Sequence, residues 1–143
     1  MKKSVIGLCC GLLMSQAVWA GDWVGWRGAQ RDGISSETGL LQAWPEAGPE
    51  LVWQVDQLGG GYSTPAVKAD RLYFIANVGI EDEYVRARSI KDGGEIWSVR
   101  IGKVGMPDQQ PSYPGSRSTP TIDGELLYVL GSNGDLVCLE TAT

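Results

Sequence analysis

Beyond residue 20, apolar side chains alternate with polar ones or gather in short runs, and no eleven-residue window holds the 3.6-residue period of an amphipathic helix. The pattern predicts strands. Residues 63–67 form a short one carrying Pro65, which suits a sheet edge because proline cannot donate to a ladder. Residues 68–70 read as a polar turn, 71–76 as an apolar and aromatic strand, 77–82 as a loop and 83–89 as an alternating strand. Lys91-Asp92-Gly93-Gly94 supplies residues that tolerate positive φ, as a tight hairpin requires, and 95–101 completes a four-stranded meander. A lone strand is expected at 51–55.

The pattern repeats. STPAVKADRLYFI at 63–75 and STPTIDGELLYVL at 118–130 share five of thirteen positions without a gap, and Val67/Ile122, Phe74/Val129 and Ile75/Leu130 exchange one apolar side chain for another. Skipping three loop residues then aligns YVRARS at 84–89 with LVCLET at 136–141. Trp53 and Trp97 stand 44 residues apart, each ending a similar triplet, LVW at 51–53 or EIW at 95–97. Four-strand units repeating at this period, without helices, predict an all-β protein: a β-propeller of four-stranded antiparallel blades. About one and a half blades are present. Thr141-Ala142-Thr143 aligns with Ser89-Ile90-Lys91, where a glycine turn and a Trp-bearing strand follow, so the chain reads as the N-terminal piece of a longer protein.

Residues 1–20 stand outside this pattern. Lys2 and Lys3 precede the ten-residue apolar run VIGLCCGLLM, and Val18-Trp19-Ala20 makes a cleavage site before Gly21. This is the layout of a secretory signal peptide, and the run is too short to span a bilayer. Domains are therefore expected as a signal at 1–20, a leader at 21–50 and a partial propeller at 51–143, in a periplasmic or secreted protein. Cleavage removes two lysines and no acid, leaving ten basic and 17 acidic residues and a net charge of −7, the wrong sign for a nucleic-acid partner. Cys9 and Cys10 leave with the signal, so Cys138 has no partner for an internal disulfide and is expected as a buried packing thiol. There is no histidine, the commonest general base and metal ligand.

Ala87-x-Ser89-x-x-Asp92-Gly93-x-x-x-Trp97 resembles AxDxxTGxxxW, the blade signature of the pyrroloquinoline-quinone (PQQ) repeat propellers, with Ser89 and Asp92 departing from it. The resemblance covers roughly 51–143. Trp23-Val24-Gly25-Trp26-Arg27-Gly28 with Arg31-Asp32-Gly33 is similar to a leader that precedes such propellers in secreted bacterial proteins. Physically the signature is structural: an indole on an outer strand docks over the glycine turn of a neighbouring blade, and glycine permits the approach because it lacks Cβ. Ala87, Gly93, Trp97 and Trp53 are therefore expected to be a structural repeat motif. Trp23, Trp26 and Trp44 are expected to cap a propeller face or fold back onto its edge, with carbohydrate stacking as the alternative.

The resemblance implies two functions. One is a non-catalytic binding or scaffold propeller of the bacterial envelope, similar to the propeller subunit of the outer-membrane β-barrel assembly machinery. Its partners would be other envelope proteins or the rest of its own propeller. The other is a PQQ- and calcium-dependent alcohol or sugar dehydrogenase. Calcium takes six to eight oxygen ligands. The nearest cluster, Asn133-Gly134-Asp135, reads better as a hairpin turn, and the adjacent-cysteine disulfide of those enzymes has no counterpart in the mature part. No catalytic residue, metal ligand or cofactor is therefore assigned, no transmembrane span is expected, and the scaffold reading is preferred. Gly59-Gly60-Gly61 reads as a flexible turn, Glu81, Asp82 and Glu83 as a solvated acidic tip, and 106–115 as the loop in which to look for function.

Overall fold

The computed structural model describes residues 21–105 and 115–142. The signal expected at 1–20 and residues 106–114 of the loop at 106–115 lie outside the described residues. The described part is all strand, without a helix. Its strands are β1 (Ala66–Lys68), β2 (Arg71–Val78), β3 (Asp82–Ser89), β4 (Glu95–Lys103), β5 (Thr121–Asp123), β6 (Leu126–Leu130) and β7 (Leu136–Glu140). They form two antiparallel meanders, β1-β2-β3-β4 and β5-β6-β7, the blades of a partial β-propeller.

The two sheets are built to one plan. Ala66 pairs with Tyr73 as Thr121 pairs with Tyr128, and Val67 with Leu72 as Ile122 with Leu127. The next hairpin corrects the sequence alignment. Tyr73 faces Ala87, whereas Tyr128 faces Cys138, so Ala87 corresponds to Cys138 rather than Leu139. The second hairpin is shorter by four residues, not three. A one-residue slip in a strand turns every side chain to the other face, so the corrected register decides which residues meet across the seam.

Burial follows from it. Across the first sheet, Ala66, Tyr73, Ala87 and Trp97 stand in one row and Ile75, Val85 and Val99 in the next. This face packs against Ile122, Leu127, Val129, Val137 and Leu139 of the second sheet to make one core. Leu127 occupies the position of Leu72, which lies on the opposite face of its own sheet. The sheets therefore stack face to back, as successive blades do. Residues 51–55, expected as a strand, form no ladder; Leu51 and Val52 are exposed beside the first sheet.

Of the three acids expected at a solvated tip, Glu81 is exposed, but Asp82 begins β3 and binds Arg100 through Nε at 2.9 Å and Nη2 at 2.7 Å. That hydrogen bond holds the Asp82 carboxyl below its ordinary 3.8. A depressed native pKa contributes stability that is complete above the unfolded-state value and fades as pH falls through the native one. Acid melts of the wild type should therefore fall more steeply below pH 3.8 than those of Asp82→Asn, with the two curves differing by a constant offset near neutrality.

Candidate functional site

The seam between the sheets is closed at its outer end by one carbonyl. Thr141 O accepts from Arg71 Nη1 at 2.7 Å, Tyr73 Oη at 3.2 Å and Trp97 Nε1 at 3.3 Å. The three donors come from β2 and β4 of the first sheet and the acceptor follows β7 of the second. Tyr73 and Trp97 rings lie 5.9 Å apart at 48°. Burial raises the Tyr73 phenol above its ordinary 10.0, with Arg71 pulling the other way.

The same latch is made one unit earlier. Trp53 Nε1 donates to Ile90 O at 2.8 Å. Ile90 and Thr141 are equivalent, since each returns its N–H to the turn after the first strand of its sheet, at Asp70 O and Glu125 O. Gly93 lies under the Trp53 ring with φ 73°. A Cβ there would stand 2.6 Å from Val55 Cγ2 and 2.8 Å from Trp53 Cε3, so this contact admits only glycine. Ala87 is fully buried between Tyr73 and Trp97 in the ladder, where a small side chain lets the indole cross toward the second sheet.

The leader ties both sheets together at their first strands. Trp23 exchanges both backbone hydrogen bonds with Val67 beside β1, and Val24 O accepts from Ile122 N of β5. Trp23 packs under Gly28. Trp26 and Trp44 are 60% and 68% exposed, and Arg27 lies over the Trp26 ring at 5.3 Å. Gly59-Gly60-Gly61 is a packed junction, because Gly60 exchanges both backbone hydrogen bonds with Asn77.

One face is bare. Leu126, Tyr128, Leu130 and Leu136 of the second sheet are exposed, and Cys138 lies with them, exposed where a buried thiol was expected. Their equivalents in the first sheet, among them Tyr73, Ile75 and Ala87, are the residues that the second sheet covers. Among the described residues, none packs on this face of the second sheet as the second sheet packs on the first. The Cys138 sulfur also raises the neighbouring Tyr128 phenol above 10.0. The correction extends to Glu83, which is fully buried on the seam face of β3. Asn133-Gly134-Asp135 forms the β6–β7 turn, with Gly134 at φ 94°. Among the described residues, no three Cys, Asp or Glu side chains gather to hold a metal ion, and no helix is long and apolar enough to cross a membrane.

The latch separates into packing and hydrogen-bond parts. Trp97→Phe keeps most of the ring contact and should lose about 1 kcal/mol in urea unfolding, while Trp97→Ala should lose about 3–5 kcal/mol. Gly93→Ala meets both a positive φ and the Trp53 ring, and should lose at least about 2 kcal/mol by the same measurement.

Comparison with known proteins agrees with this architecture. The family described as outer membrane protein assembly factor BamB matches residues 16–143. The chain is similar to the outer membrane protein assembly factor BamB of Moranella endobia (strain PCIT), with 30% identity over 113 residues, a stretch covering 75% of this chain and 28% of that protein. It thus spans well under a third of that relative's length. No solved structure matches it. With its stacked four-stranded and three-stranded sheets, its repeated indole latch and a family match along nearly its whole length, the chain belongs to the BamB family of PQQ-repeat propellers.

Proposed function

We propose that this chain is part of a non-catalytic propeller of the bacterial envelope that binds other envelope proteins during outer-membrane protein assembly. The observation that carries the reading is the family match over 16–143, supported by the relative whose own name states that role. The geometry is consistent with it. On this reading Ala87, Gly93, Trp97 and Trp53 serve as the structural repeat motif, a role supported by the Trp53 and Trp97 hydrogen bonds, the Gly93 contact and the burial of Ala87. The bare face of the second sheet receives the next blade, and 51–55 is the outer strand of a blade whose other strands lie elsewhere in the intact propeller. Trp53 reaches the first sheet as Trp97 of β4 reaches the second. Residues 1–20 are a secretory signal, 21–50 a leader, and the working compartment is the periplasm. The reading calls for no quinone and no catalytic calcium.

The test is made in the native host. Deleting the gene should lower the amount of β-barrel proteins in the outer membrane, and tagged intact protein should co-purify with the barrel-assembly complex and begin at Gly21. Co-purified PQQ with alcohol-dependent reduction of an artificial electron acceptor, or unchanged barrel proteins in the deletion strain, would overturn the reading.

A further inference from the structure

The seam carries an arrangement that neither packing nor the latch explains. Asn77 near the end of β2 and Glu83 of β3 face each other directly in the ladder, on the face turned to the second sheet. Both are deeply buried, Glu83 at 0% and Asn77 at 4% exposure. Each keeps an oxygen without a hydrogen-bond partner, Asn77 Oδ1 and Glu83 Oε1. The other atoms of these groups are committed. Glu83 Oε2 accepts from Ser132 N at 2.7 Å, and Asn77 Nδ2 donates to Gly79 O. Unpaired acceptors on two buried residues paired across the ladder call for a donor or a cation.

Among the described residues no lysine or arginine hydrogen-bonds Asn77 Oδ1 or Glu83 Oε1, and the Arg100 guanidinium, whose charge acts on Asp135, is committed to Asp82. Arg86 and Arg88 alternate with Glu83 along β3 in the opposite sense and bind Glu95 on the other face. The β4 partner of Glu83 is Gly102, which has no side chain. The segment 106–114, MPDQQPSYP, contains neither lysine nor arginine. A second acid approaches instead. A Cβ on Gly131 would lie 2.8 Å from Glu83 Oε2 and 3.8 Å from Asp135 Cβ, and one on Gly102 would lie 2.3 Å from Asp135 Oδ2. Glycines also bound Asn77 Oδ1, where a Cβ on Gly115 or Gly60 would stand at 2.4 or 3.0 Å. The polar cluster is thus enclosed by positions that carry no side chain.

We infer that the Asn77, Glu83 and Asp135 side chains hold a hard divalent cation of the calcium class at the seam between the first and second sheets. Two carboxylates and one amide oxygen match the preference of such ions for oxygen ligands and balance a double positive charge, with water completing the shell. The burial of Glu83 limits the occupant to something of atomic size. The ion would join β2 and β3 of one blade to the β6–β7 turn of the next, at the opposite end of the seam from the Thr141 latch. It is a structural ion and implies no quinone. Glu83→Gln removes the charge and offers an amide donor to Asn77 Oδ1, so this variant folds without the ion.

The experiment is a set of thermal melts of the intact protein, stripped with chelator and then titrated with calcium or magnesium at constant ionic strength. Saturating calcium should raise the wild-type Tm by about 3 °C. Glu81→Gln, which removes an exposed acid of equal charge, should keep that shift. Asp135→Asn should weaken it, and Glu83→Gln should abolish it. A wild-type Tm indifferent to both metals, or an equal shift in Glu83→Gln, would overturn the proposal. So would a stability that follows pH and ignores the metal, which would give the gap to a proton.

Discussion

Everything in this structure depends on one sheet covering another that cannot cover itself. A four-stranded meander with apolar residues on both faces has no stable existence in water. Here the Tyr73, Ile75, Val85 and Ala87 face is buried only because Ile122, Leu127 and Val129 stand against it. The stacking has a direction, since front meets back, and this lets units follow one another without end faces that pair with themselves. The indole hydrogen bonds fix the spacing. Apolar packing tolerates a sliding contact, whereas a carbonyl that takes donors from Arg71, Tyr73 and Trp97 does not.

The strand edges answer to the same constraint. β1 and β5 are three residues long and would leave ladder groups unpaired. The leader supplies them, with Trp23 on β1 and Val24 on β5, so a segment without a strand of its own acts as a seam at the inner edge. Residues 51–55 show the opposite condition, latched by Trp53 yet without a ladder. A membership read from sequence thus acquires a physical content: each blade depends on its neighbour for burial, for a Trp clasp and for register.

Much of this was legible in the chain. Period-two alternation, the STP starts, the Lys91–Gly94 turn and the 44-residue Trp spacing all come from local chemistry that leaves a mark in one dimension. The strand ends were less so: β2 runs on to Val78 and β4 to Lys103, past the expected 76 and 101. The misaligned register of β7 against β3 has its cause in hairpin length, which is invisible without pairing. Val85 and Val137 invite alignment, yet Val85 sits opposite Ile75 and Val137 opposite Val129, on contrary faces. Glu83 reads as a solvated acid because acids at turns usually are; it is buried because the β6–β7 turn of the next sheet closes over it. Cys138 reads as core from its strand pattern and is exposed because no described residue packs on that face.

The claim that equivalent indoles clasp successive blades is tested most directly by hydrogen exchange at the indole N–H groups, followed by ¹⁵N NMR on the intact protein. Trp53 and Trp97 donate to backbone carbonyls, whereas Trp26 and Trp44 are largely exposed. The account predicts slow exchange for the first pair and fast exchange for the second. Equal, fast exchange at all four would contradict it.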